Sequence, residues 1–277
     1  MPHFNQRLYR LVFPSTLRRR IHNFILRQSG IDKEVANFEE RISSLTLEMH
    51  QQLNSRENRI HPYVREALNT ASISLRPVEV YSNSVEENEL GRSFDKYGSD
   101  KNERHSYAHI YEQILDGIES PHILEIGLGS LNPFPYAGLE PGGSLKAWRE
   151  RYPGSIIVGG DIDPEAVEAA TEKAFQIDQT DPGSLDNFAS SISSFGPFDL
   201  IVDDGFHDPH ANILTAIKML PLLRSTGSYV VEDVHSSLID LWRVLLAATQ
   251  LDGSVIDMSE LRPNTDDNVL ILIKSSN

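Results

Sequence analysis

From Tyr107 onward, helix-length stretches with apolar residues three or four apart alternate with short runs of consecutive apolar residues. The first pattern marks amphipathic helices and the second marks strands buried on both faces. The reading predicts helices over 107–118, 144–151, 164–173, 184–193, 213–223 and 238–248. It predicts strands over 122–126, 155–159, 174–177, 198–203, 228–231, 254–257 and 268–274. Strands joined by helix-length connections imply an α/β fold with a doubly wound, mostly parallel, seven-stranded sheet. The last two strands lack such a connection and are expected to pair antiparallel.

The first 90 residues read differently. Pro14-Ser15 opens a helix with Ser15 as N-cap, Leu17, Ile21, Phe24 and Ile25 share one face, and Gly30 ends it. Arg18, Arg19, Arg20 and Arg27 line the other side, and no acid occurs between Met1 and Gly30. Such a face can meet acidic lipid or an acidic partner. A docking helix with a solvated basic face is the plainer reading. A second helix over 32–54 keeps a three-four spacing through Val35, Phe38, Ile42, Leu45 and Met49, and suits a helix pair or a homo-oligomer contact. Between Arg76 and Gly91 the pattern dissolves into Pro77, Ser82, Asn83, Ser84 and glutamates, so the expected domains are residues 1–90, a helical extension, and 91–277.

Composition narrows the function. The 277 residues carry a net charge of −15, which argues against general nucleic-acid binding. No cysteine is present, which excludes disulfides, thiolate zinc sites and a thiol nucleophile. No run approaches the roughly 20 apolar residues of a membrane span, and the basic N-terminus lacks a signal-peptide core. A cytoplasmic protein is expected.

The candidate chemistry gathers at strand ends, where open α/β sheets bind ligands. The run Phe198-Asp199-Leu200-Ile201-Val202 finishes in Asp203-Asp204-Gly205-Phe206-His207. The run Ser228-Tyr229-Val230-Val231 finishes in Glu232-Asp233-Val234-His235. Acid pairs alone are usually caps or turns, but two pairs at adjacent strand ends point to a hard-cation site with a base beside it. After the first strand, Glu125-Ile126-Gly127-Leu128-Gly129 allows a tight turn close to a ligand. Asn132 stands where a dinucleotide fingerprint has its third glycine, and Glu125 suits a cationic or amino-acid ligand better than a pyrophosphate. Asp161 closes the second strand and can accept from ribose hydroxyls, leaving Asp163-Pro164 to cap the next helix. Asp178-Gln179 after the third strand would sit near an adenine, although Asp-Gln-Thr-Asp also makes a plain turn.

In this order, these motifs resemble class I S-adenosylmethionine-dependent methyltransferases, and more narrowly the metal-dependent sugar O-methyltransferases of macrolide biosynthesis. Lys96-Tyr97-Gly98-Ser99-Asp100-Lys101, His105-Ser106-Tyr107, Tyr111, and Gly142-Gly143-Ser144-Leu145 with Trp148 add to the resemblance, which runs from about residue 91 to the C-terminus. It implies transfer of a methyl group from S-adenosylmethionine to a sugar hydroxyl of a glycosylated natural product or polysaccharide intermediate. It assigns Asp204, Glu232 and Asp233 to Mg²⁺ and His207 as base. Tyr97, Ser99, Glu125, Gly127, Gly129, Ser144, Asp161, Asp178, Gln179 and Asp203 go to the cofactor side, with Asp203 alternatively supporting the turn. Phe206 replaces the small residue usual at its position. His109 reads as packing, and His105 as a pocket residue.

Other readings stay open on the residues alone. His207, His210 and His235 suit a two-histidine, one-carboxylate iron site, which leaves the glycine turn and Asp161 without a role. A nicotinamide oxidoreductase fits the fold but not the missing glycine or Glu125. A non-catalytic partner module remains the third.

Overall fold

The computed structural model describes residues 75, 77–81, 87–129, 141–249, 251–262 and 265–275. The chain divides into two units, Met1–Glu66 and Ala67–Asn277, and every described residue belongs to the second. The two helices expected before residue 55, with the membrane and self-association contacts assigned to them, lie outside the described residues. So does the stretch 131–140.

The described residues form an eight-stranded sheet in the order β1-β7-β8-β6-β5-β2-β3-β4. Its strands are β1 (Val78–Val80), β2 (His122–Ile126), β3 (Ile156–Asp161), β4 (Lys173–Gln176), β5 (Phe198–Asp203), β6 (Leu223–Val234), β7 (Gly253–Asp257) and β8 (Val269–Lys274). Only β8 runs against its neighbours, pairing antiparallel with both β6 and β7. Seven strands are the expected ones, including the antiparallel final pair. The eighth, β1, pairs parallel with β7 and lies before the boundary expected at residue 91. It escaped the pattern because it is three residues long, partly exposed, and carries a glutamate at its centre.

The helices are α1 (Glu89–Lys96), α2 (Ala108–Ile114), α3 (Gly143–Arg151), α4 (Pro164–Ala169), α5 (Pro182–Ile192), α6 (Pro209–Met219) and α7 (Ile239–Thr249). Three of them begin Asp-Pro. Asp163, Asp181 and Asp208 each accept a backbone N–H of the first turn, and the proline that follows gives up no bond there. For α5 and α6 this start lies N-terminal to the expected one. Asn88 caps α1 in the same way, accepting from Gly91 N at 2.6 Å.

Successive residues of the central strands point to opposite faces. Ile123, Leu200, Val202 and Val230 pack with Phe94, Tyr111, Leu145 and Trp148 on one face. Leu124, Ile201, Tyr229 and Val231 pack with Leu185, Phe188, Met219 and Trp242 on the other. Helices therefore cover both faces, and strand ends are the natural place for chemistry. From β2 the chain winds outward through β3 and β4, then returns to β5 and β6 on the far side of β2. The strand order reverses between β2 and β5, which is where such sheets open a ligand crevice.

Candidate functional site

The turns after β2 and β5 are built against each other. Asp204 N donates to Ile126 O at 2.7 Å, and Gly127 N donates to Gly160 O at 2.8 Å. Gly127 has φ +95°, and a Cβ there would lie 1.9 Å from Asp204 O. Only glycine lets the two turns meet. Gly129 has φ +82°, but the nearest atom to its absent Cβ is 3.7 Å away, so the second glycine serves backbone shape alone. Asp161 fixes the turn from the β3 side. Its Oδ2 accepts from Leu128 N at 2.6 Å and its Oδ1 from Asp163 N at 2.8 Å.

Several residues expected to face a cofactor instead brace the crevice from within. Asp203 is fully buried, and its carboxylate accepts from Gln179 Nε2 at 2.6 Å, Tyr229 OH at 2.6 Å and Asn212 Nδ2 at 3.1 Å. Burial pushes its carboxyl above the ordinary value, against the pull of those three donors. Gln179 also donates to Thr215 Oγ1 at 3.1 Å and accepts from Phe206 N at 2.8 Å. Asp203 and Gln179 therefore support the β4 and β5 turns and are not open to a ligand. Asp178 accepts from both the N–H and the hydroxyl of Thr180, the plain-turn alternative. The Tyr97 hydroxyl turns away to Glu150 Oε2 at 2.7 Å, and it is the Tyr97 carbonyl that approaches the start of α3. Ser99 is half-buried and donates its N–H to Phe94 O at 2.9 Å.

Glu125 corrects a second expectation. It is fully buried; its Oε2 accepts from Trp148 Nε1 at 2.7 Å, and the Ser144 hydroxyl also bonds it. The cation it meets is the chain's own Lys101, whose Nζ lies 3.3 Å from Oε1. The same ammonium bonds Asp204 Oδ2 at 2.5 Å and Glu232 Oε2. Burial alone would lower the Lys101 pKa, yet Asp204, Glu232 and Glu125 hold it well above the ordinary value. A buried ammonium with three carboxylate partners is what the acid surplus at these strand ends requires. That surplus is the sequence signal that points to Lys101.

The two acid turns converge. Asp204, His207 and Asp233 each place one ligand atom within 4.8 Å of the others. His207 Nε2 stands 4.0 Å from Asp204 Oδ1. His207 and Asp233 both have left-handed backbones, at φ +54° and +52°. Non-glycine residues rarely adopt that conformation, and when they do they cluster at functional sites. Glu232 is not one of these three, although its carboxylate meets that of Asp204. It is buried, Lys101 takes one oxygen, and the Tyr111 hydroxyl donates to the other. His210 and His235 lie outside the three too. The His210 N–H binds the α6 cap, and His235 Nδ1 contacts Ser237.

Charge in this corner is predominantly negative. Burial, then Asp204, Asp100 and Asp267, push the Asp233 carboxyl well above its ordinary value. Burial and the neighbouring acids do the same to Glu232 against the pull of Lys101. Asp204 goes the other way: burial opposes its charge, but Lys101 and His207 together hold it below the ordinary value. Hard carboxylate oxygens at Asp204 and Asp233, in a pocket short of positive charge, fit a divalent cation.

No protein-family model matches the chain. Among curated proteins it is similar to the 8-demethyl-8-alpha-L-rhamnosyl tetracenomycin-C 2'-O-methyltransferase of Streptomyces olivaceus. The two are 36% identical over 146 residues, covering 51% of this chain and 36% of the relative. It is similar to the L-olivosyl-oleandolide 3-O-methyltransferase of Streptomyces antibioticus, 32% identical over 165 residues, 58% of this chain and 41% of the relative. The mycinamicin VI 2''-O-methyltransferase of Micromonospora griseorubida is 39% identical over 117 residues, 42% of this chain and 27% of the relative. The chain thus spans less than half the length of these relatives. Among solved structures, the methyltransferase MycE of the mycinamycin pathway, in complex with Mg, SAH and mycinamycin VI, is 30% identical. That match covers 53% of this chain and 39% of MycE, with a TM-score of 0.44. The resemblance expected from the motifs, to sugar O-methyltransferases, is the one found.

Proposed function

We propose that this chain moves a methyl group from S-adenosylmethionine to a sugar hydroxyl of a glycosylated natural product, with Mg²⁺. The observation that carries the reading is the junction at the switch point. There the glycine turn after β2 is pinned to the acid turn after β5, and Asp204, Asp233 and His207 converge beside it. The printed activities of the curated relatives supply the substrate class.

In this reading Asp204 and Asp233 hold the metal, and the backbone of Gly127 to Gly129 borders the methyl donor. When bound, the donor supplies an activated methyl and Mg²⁺ supplies a Lewis acid for the hydroxyl. The chain's own residues do the rest. His207, aimed by its left-handed backbone, accepts the proton that the hydroxyl gives up. Asp161 fixes Leu128 so that the turn keeps its shape, with its remaining lone pairs available to ribose hydroxyls. Lys101 pairs with Glu125, Glu232 and Asp204 at once, and its charge helps hold the Asp204 carboxyl low.

Transfer of labelled methyl to glycosylated macrolide and aromatic polyketide acceptors tests the reading. Activity should need Mg²⁺ and vanish with chelator. His207→Ala should lower kcat by about 10²- to 10⁴-fold, the usual share of a general base, while donor binding is kept. Methyl transfer that survives in His207→Ala at the wild-type rate contradicts the assignment of the base.

A further inference from the structure

We propose that Asp100, His105 and Asp233 form a second divalent-cation site, beside the Asp204–His207 group and sharing Asp233 with it. Each of the three residues places a ligand atom within 4.8 Å of the others. The site goes beyond the methyl-transfer reading, which uses neither Asp100 nor His105.

His105 carries the argument. The side chain is buried, and neither of its ring nitrogens has a hydrogen-bond partner among the described residues. Its Nδ1 points toward Asp233 Oδ1 across 3.6 Å, too far for a hydrogen bond but near enough to share an ion. A buried polar atom without a partner is costly and calls for an explanation.

The loop around it is shaped for this position. Ser106 has a left-handed backbone at φ +66°, and the His105 ring stacks on Tyr107 with centroids 4.9 Å apart. The Tyr107 hydroxyl donates to Asp233 Oδ1 at 3.0 Å, so the carboxylate is oriented by a second residue of the same loop. Asp267 adds to the negative potential on both His105 and Asp233. One imidazole and two carboxylates form a mixed nitrogen and oxygen set. That set suits Mn²⁺, Fe²⁺, Co²⁺ or Zn²⁺ better than Mg²⁺, which prefers oxygen alone. Sharing one carboxylate between neighbouring ions is the arrangement of two-metal sites.

The experiment is an Mn²⁺ titration of the chelator-stripped full chain, counting bound ions by electron paramagnetic resonance. The expected result is two Mn²⁺ per wild-type chain and one in each of Asp100→Asn, His105→Ala and Asp204→Asn. The ion remaining in Asp204→Asn should show coupling to an imidazole nitrogen that persists when His207→Ala is added. Asp100 is half-buried on a loop, so Asp100→Asn keeps the test sound even if the buried His105→Ala does not fold. An ion count that Asp100→Asn leaves unchanged overturns the proposal. So does a remaining ion without nitrogen coupling. If Asp204→Asn leaves the count alone while Asp100→Asn lowers it, the second site stands and the methyl-transfer site is what fails.

Discussion

Lys101 shows how a single side chain can set the electrostatics of a whole pocket. Its ammonium is buried among Glu125, Asp204 and Glu232, and only the Coulomb attraction of three acids offsets the cost of removing it from water. Lys101→Met would leave those acids uncompensated. The expected loss is about 3–5 kcal/mol of folding stability, the range for breaking a buried pair from one side. It would be read as a lower urea midpoint. A midpoint equal to wild type would mean that the acids are neutral without the lysine. The same residue marks a limit of sequence reading. Strand-end acids advertise themselves, but whether a carboxylate faces a ligand or the interior depends on distant partners. Asp203 and Gln179 read as ligand contacts, yet Tyr229, Asn212 and Thr215 occupy them from the other side. Those three come from β6 and α6, which periodicity places on the map without fixing where each side chain points.

At the scale of elements, the strands were the most legible feature, because runs such as Leu200-Ile201-Val202 are buried on both faces and must be apolar throughout. Helix starts were less so. The apolar pattern starts α5 at residue 184 and α6 at 213, whereas the Asp181-Pro182 and Asp208-Pro209 pairs, each an N-cap followed by the residue that best tolerates the first helical position, start them earlier. The β2 and β5 turns carry the sharpest prediction. Gly127→Ala adds a Cβ at 1.9 Å from a backbone oxygen on a left-handed residue, so it should cost more than about 4 kcal/mol or abolish folding. Gly129→Ala makes only an ordinary contact with Pro141 at 3.7 Å, and should cost little more than the backbone penalty of about 1–2 kcal/mol. Thermal melts of the two variants compare them directly. Equal losses would contradict the pinned junction between the turns.

For the molecule as a whole, the reversal of strand order between β2 and β5 puts the glycine turn and the acid turn side by side. Alternating helix and strand periods anticipate the doubly wound sheet and its strand-end chemistry, but not which turns meet. The edge strand β1 was not anticipated, since three partly exposed residues carry no period. We propose that the folded unit bearing the site begins near Ala67, ahead of the boundary the sequence suggests, and that β1 closes the open edge of β7. A chain starting at Ala67 should melt in one cooperative transition. A chain starting at Glu87 lacks β1, and should melt at least about 2–4 °C lower for each kcal/mol lost, with a tendency to associate through the bared edge. Identical melting of the two would show that β1 contributes nothing to the sheet.

The claim on which the rest depends is that one crevice takes up both an adenosyl ligand and a divalent ion, the ion through Asp204. Calorimetric titration of the full chain with S-adenosylhomocysteine and with Mg²⁺, wild type beside Asp204→Asn, measures this directly. The account predicts that both ligands bind the wild type. In the variant, Mg²⁺ should weaken by at least about 10- to 100-fold, the loss seen when only a residue behind the ligands is changed, while S-adenosylhomocysteine is retained. Absence of heat with either ligand, or Mg²⁺ binding unchanged by Asp204→Asn, contradicts it.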